Sequence, residues 1–174
     1  MLTLRSLALA LGLAFVVTLI AGGATAHPEP EPKPTAGDGV LQRGPANPIL
    51  RNDSSYDDLK AGPSSVVKVG AGDYRQWYEA IDEENSPGGR DFISQTAYAT
   101  SSDGTSWTKQ GIVFSGLPAP SWENSEACPT SMHWDGSQWI LFYHGGNNEG
   151  ARAISRATSP TGTGDFTRLG APIL

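Results

Sequence analysis

The sequence predicts an all-β protein made of repeated four-stranded antiparallel units, the blades of a β-propeller. Three observations predict it. Gly (21) and Pro (13) are abundant among the 174 residues, as turn-rich β proteins require. The aromatic residues stand in short clusters, such as Trp77-Tyr78 and Phe142-Tyr143, and not at helical spacing. Above all, the chain repeats itself. Trp77-Tyr78 and Phe142-Tyr143 are 65 residues apart, and Pro63-Ser64 and Pro129-Thr130 are 66 apart. Asn47-Pro48-Ile49-Leu50 returns as Ala171-Pro172-Ile173-Leu174, 124 residues on.

The elements follow in order. Residues 1–26 read as a signal peptide: Arg5 supplies a positive start, residues 7–20 form an uncharged apolar run, and Ala24-Thr25-Ala26 is a small-x-small cleavage site. The run is shorter than the roughly 20 residues of a comfortable membrane span. An exported protein with no membrane association after cleavage is expected. Residues 27–46 alternate proline with charge and read as an extended Pro-rich linker. The propeller-like domain is expected over residues 47–174, with blades near 56–116 and 121–174.

Each blade reads as four strands. Strand A is expected at 65–69 and 131–134, and strand B at 74–81 and 138–143. Strand C is expected at 94–100 and 152–158, and strand D at 107–114 and 166–169. A β-sandwich with an internal duplication is the rival architecture. Trp77, Tyr78, Trp107, Trp139, Phe142 and Tyr143 are expected to fill the space between blades, not to stack on a ligand. Two blades fall short of the four or more that close a ring, so the chain is expected to be a fragment of a longer protein.

Composition excludes some functions. A formal charge of −6 argues against binding nucleic acid, which needs a basic face. The single cysteine, Cys128, excludes an intrachain disulfide and reads as a buried thiol. His133 reads as structural. No metal-spaced set of ligands stands out, so no metal site is assigned, no cofactor is expected, and calcium stays open.

Topology selects the residues that could do chemistry. The loops entering strand A and joining B to C open on one face, around the central channel. Asp57 and Asp58 follow Tyr56 before the first strand A; Trp122, Glu123 and Glu126 lie before the second. Asp57 and Glu123 are 66 apart, in step with the repeat. Paired carboxylates of this kind suit acid–base work on a glycosidic bond, one donating a proton to the leaving oxygen and the other serving as base or nucleophile. Asp57 or Asp58 would be the base or nucleophile, and Glu123 or Glu126 the general acid. Trp122, His144, Asn147 and Arg152 would position the sugar. Each carboxylate can equally be a turn cap or a solvated side chain.

The order of Asn47-Pro48-Ile49-Leu50, Pro63-Ser64-Ser65-Val66-Val67, Trp77-Tyr78-Glu79-Ala80 and Ala99-Thr100-Ser101-Ser102-Asp103-Gly104-Thr105-Ser106-Trp107 resembles the five-bladed β-propeller glycosidases. These are family 43 of the glycoside hydrolases, with its invertase-like and mannoside-phosphorylase relatives. The resemblance covers residues 47–174. It implies a glycoside hydrolase acting on a poly- or oligosaccharide, with about two blades of the five present. Glu126-Ala127-Cys128-Pro129 is similar to the invertase-like Glu-Cys-Pro acid motif, with Ala127 inserted. Arg90-Asp91-Phe92 and Asn52-Asp53-Ser54 depart from that group's Arg-Asp-Pro and Asn-Asp-Pro, so the broader superfamily fits better than the invertases. The other class is a carbohydrate-binding or degenerate propeller without catalysis.

Overall fold

The computed structural model describes residues 49–86 and 93–174. The expected signal peptide, the whole of the expected linker and Arg90-Asp91-Phe92 lie outside the described residues. No described helix is long and apolar enough to cross a membrane.

Eight strands form two antiparallel sheets. The first holds β1 (Lys60–Gly70), β2 (Asp73–Ile81), β3 (Gln95–Ser101) and β4 (Thr108–Phe114). The second holds β5 (Glu126–Trp134), β6 (Trp139–Gly146), β7 (Arg152–Ser159) and β8 (Thr167–Arg168). Each sheet runs in sequence order, so each is an up-and-down blade. The two-unit repeat read from the sequence is therefore the blade repeat.

Alternation along β2 explains the layering. Trp77 faces the second blade, where it meets Trp139 at a ring-centroid distance of 5.0 Å and donates its indole N–H to Gly162 O at 2.7 Å. Tyr98, Phe114, Met132, Leu141 and Tyr143 complete that shared core. Tyr78 and Ala80 face the other way and pack with Ala97 and Ala99 under Leu50, Tyr56, Trp107 and Ile112. Both faces of the first blade are thus covered, one by its neighbour and one by the chain leading into it. Of the six aromatics expected between the blades, Trp77, Trp139 and Tyr143 are there, Tyr78 and Trp107 pack in the other layer, and Phe142 is half-buried and belongs to neither cluster.

The strand-A expectations need correction at their starts. β1 begins at Lys60 and β5 at Glu126, five residues ahead of the expected starts at 65 and 131 and before Pro63 and Pro129. Pro63 and Pro129 fall at register shifts, between Gly62 and Ser65 and between Pro129 and Ser131, on strands paired on one side only. A proline at a bulge of an edge strand forfeits no ladder hydrogen bond. Strand D of the second blade also differs. Its ladder is only Thr167–Arg168, then Gly170 at φ 84° turns the chain, and Ile173 returns to donate to Ile154 O at 2.8 Å. Glycine adopts that left-handed conformation without the Cβ clash other residues meet.

Candidate functional site

The phased acids come first. Asp57 is fully buried. Its Oδ2 accepts from Tyr78 Oη at 3.0 Å and pairs with Lys109 Nζ at 2.6 Å, while Oδ1 caps the Ser54 N–H at 2.9 Å. Glu123 is equally buried and pairs with Arg168 Nη1 at 2.7 Å. Arg168 also lies 3.5 Å from Tyr143 Oη, stacks 3.8 Å over the Phe114 ring and donates to Ser115 O in the first blade. Tyr78 and Tyr143 hold the same place in their blades, and Lys109 and Arg168 stand alike on strand D. The phasing of Asp57 and Glu123 therefore repeats an acid–tyrosine–base motif that ties strand D to the segment preceding strand A. Burial pushes the Tyr78 and Tyr143 phenols up, so both remain neutral donors or acceptors. Lys109 is held charged by Asp53 and Asp57 against the opposing effect of burial.

A different set of residues gathers where β1 and β5 start and β2 and β6 end. Lys60, Glu79, Ile81, Ser94, Glu126, Cys128 and His144 line a cavity of about 300 Å³. The blades are stitched together here. Ser94 N–H donates to Ser125 O, Ala127 N–H to Ser94 O and Thr96 Oγ1 to Ala127 O, each at 2.8 Å. Glu126 opens β5 opposite Gly146, which in turn lies opposite Arg152. Because Gly146 has no side chain, the guanidinium of Arg152 reaches across it to both Glu126 oxygens, with Nε at 3.2 Å from Oε2 and Nη2 on Oε1. A Cβ on Gly146 would stand 2.9 Å from Glu126 Oε2. His144 Nδ1 lies 3.5 Å from the same oxygen.

Glu79 forms the opposite wall. Its Oε2 pairs with Lys60 Nζ at 2.6 Å; its Oε1 accepts from Cys128 Sγ at 3.0 Å and from Ser94 Oγ at 3.1 Å. Burial alone would raise the Glu79 carboxyl, but the bonds from Cys128, Lys60 and Ser94 outweigh it and hold it below the usual range. Burial, reinforced by Glu79, pushes the Cys128 thiol up to about 12. Cys128 is half-buried, a hydrogen-bond donor and no nucleophile at neutral pH. Among the described residues no cluster of three or more His, Cys, Asp or Glu is placed to hold a metal ion.

Of the expected site residues, Glu126, His144 and Arg152 come together. Asp58 stays exposed and caps the Glu83 N–H at 2.9 Å. Asn147 Oδ1 organises its own hairpin, accepting from Glu149 N at 3.1 Å and Ala151 N at 3.0 Å. Trp122 rests on Gly145, where any Cβ would strike its ring. Lys60, Glu79 and Ser94 were not singled out by the sequence. A signal for two of them existed: Lys60 stands 66 residues before Glu126, and Glu79 stands 65 before His144.

No protein-family model matches the sequence, and comparison with curated proteins finds no match. Solved structures do match in shape. One, from the family 130 of mannoside phosphorylases, which contains glycoside hydrolases that target β-1,2 mannosidic linkages in Candida mannan, has a TM-score of 0.61 at 18% identity. It covers 79% of this chain and 43% of its own. A family 43 β-xylosidase/α-arabinofuranosidase from a compost microbial metagenome gives 0.55 at 16% identity, over 76% of this chain and 40% of its own. A family 117 glycoside hydrolase from the marine bacterium Zobellia galactanivorans gives 0.53 at 18%, over 67% and 39%. The chain spans less than half the length of each of these structures. Together with the two up-and-down sheets, these likenesses show that the chain has the bladed fold of the β-propeller glycoside hydrolases.

Proposed function

We propose that this chain is a secreted carbohydrate-active protein of the glycoside hydrolase type, acting on a poly- or oligosaccharide, with Glu126 exchanging the proton at the glycosidic oxygen. One observation carries the reading: Glu126 opens the edge strand β5 and forms a wall of the cavity beside His144, on a fold shared with glycoside hydrolases. Hydrolysis moves one proton to the leaving oxygen while water adds to the anomeric carbon, so a carboxyl at that edge is the group the reaction needs. Arg152 engages both Glu126 oxygens, and proton donation requires that one of them be freed. The Arg152 side chain is 52% exposed, so it can swing into water when a sugar arrives. His144 then remains at the cavity wall to orient a hydroxyl group. Export is supported by the charged start, apolar run and small-x-small site of residues 1–26.

Asp57 and Glu123 are assigned to tying strand D of each blade to the segment before its strand A, because their oxygens are taken up by largely buried cations and by tyrosine. The second reading, a sugar-binding propeller without turnover, is favoured by Arg152 lying across Glu126 and by the three donors on Glu79. Turnover of arabinan, xylan, mannan and fructan by the parent chain, Glu126→Gln and Glu123→Gln separates the two. The proposal expects turnover that disappears in Glu126→Gln and persists in folded Glu123→Gln. Equal turnover in Glu126→Gln and the parent would remove the assignment, and sugar binding without turnover in the parent would establish the second reading.

A further inference from the structure

We propose that Lys60 and Glu79 form a hydroxyl-reading subsite of the cavity, taking two adjacent hydroxyl groups of a sugar, one donating to Glu79 and the other accepting from Lys60. The proposal rests on the reading of the cavity as a sugar site. Lys60 comes from β1 and Glu79 from β2, and both line the cavity that Glu126 and His144 close from the second blade.

The number of hydrogen-bonding positions argues for it. An ionised carboxylate offers about four lone-pair positions. Cys128 and Ser94 take two on Oε1 and Lys60 takes one on Oε2, which leaves one on Oε2 for a ligand. An ammonium has three N–H donors, of which Glu79 uses one. A hydroxyl is donor and acceptor at once, so a vicinal diol presents the complement of an adjacent carboxylate and ammonium. Water makes the same bonds singly, whereas a diol makes both from one rigid ring.

The carboxylate is also built in place. Its side chain is 16% exposed, and its three donors come from β1, β5 and the segment before β3. Gly62 lies opposite Glu79 in the β1–β2 register, and a Cβ there would overlap Oε2. A fixed acceptor loses little freedom on binding, which favours selectivity for hydroxyl position. The equivalent places in the second blade are held by Glu126 and His144. The two blades thus contribute unlike pairs to one cavity: one pair suited to reading hydroxyls, the other beside the proton-exchanging carboxyl.

The test uses ligand-observed NMR on the full chain with methyl glycosides of xylose, arabinose, galactose, mannose and fructose. The tightest binder is then compared with its monodeoxy analogues. In the parent, removing either of two adjacent hydroxyls should weaken binding by about tenfold or more, as expected for a hydrogen bond to a charged group. Lys60→Met should abolish the penalty at one position and Glu79→Gln at the other. Lys60→Arg, which keeps a donor, should retain it. Should Glu79→Gln fail to fold, the half-exposed Lys60 still carries the test through Lys60→Met and Lys60→Arg. If a sugar binds and both deoxy penalties survive in the variants, the subsite is overturned while the sugar site stands. If none of the five glycosides binds, the sugar reading of the cavity falls, and the subsite with it.

Discussion

Replacing Arg168 by methionine separates a carboxylate that holds the fold from one that works on substrate. Glu123 keeps only 2% of its side chain exposed and Arg168 keeps 16%, so the pair lies largely out of water. Methionine removes the guanidinium that stacks over Phe114 and strands the Glu123 carboxylate and the Ser115 carbonyl. Breaking a buried pair from one side costs about 3–5 kcal/mol, because an uncompensated charge stays behind. That is a large share of the roughly 5–15 kcal/mol that holds a typical domain. Glu123→Gln alone should cost less, about 1.5–3 kcal/mol, the worth of a hydrogen bond to a charged group. The double variant should recover part of the Arg168→Met loss, since neither charge is then buried alone. By contrast Asp73→Asn, whose partner Arg75 shares a solvated site, should cost about 0–1 kcal/mol. Urea unfolding with linear extrapolation reads all four, provided the m-values agree. An Arg168→Met protein within about 1 kcal/mol of the parent, or a double variant less stable than the single, would refute the structural assignment of Glu123.

The cavity makes three further predictions. Cys128, its thiol pushed up to about 12, should resist iodoacetamide near pH 8 in the folded chain and react promptly once urea unfolds it; equal rates would show that Glu79 and burial do not restrain it. Gly62→Ala should destabilise by roughly 1–3 kcal/mol, because the new methyl group overlaps Glu79 Oε2, and an unchanged urea midpoint would mean that the carboxylate lies elsewhere. The third concerns pH. Glu79 is held below its ordinary value of 4.5, so the unfolded chain takes up this proton more readily than the native one. The stability it contributes is whole above about 4.5 and is lost as pH falls through its lowered native value. The stability difference between the parent and Glu79→Gln should therefore narrow on acidification, and a constant difference would show that the carboxylate is not held ionised.

Much of the fold was legible because its signals are local. Turn residues, alternation and the Trp77-Tyr78 and Phe142-Tyr143 clusters recur at one spacing, and they mark the blades whatever else the chain does. The starts of β1 and β5 lie ahead of the expected ones, across prolines whose place on an edge strand at a register shift depends on pairing partners along the chain. The site was harder still. Glu79 meets Cys128 across 49 residues and two blades, and Glu126 meets Arg152 across a glycine on the strand between them.

Repetition nevertheless distinguishes the two kinds of acid. Where both blades keep the same chemistry, as in Asp57 and Glu123, Tyr78 and Tyr143, or Lys109 and Arg168, the side chains answer a need that every blade shares, which is to join strand D to the incoming chain. Where equivalent places differ, with Lys60 against Glu126, Glu79 against His144, Gly62 against Cys128 and Ser94 against Arg152, no common demand of the fold fixes the residue. Six of these eight residues (Lys60, Glu79, Ser94, Glu126, Cys128 and His144) line one cavity. A symmetric requirement produces matching residues, and a ligand binding between two blades does not. The functional signal in a repeated chain therefore lies where the repeat fails, and Asp57 and Glu123 drew attention by being the places where it holds.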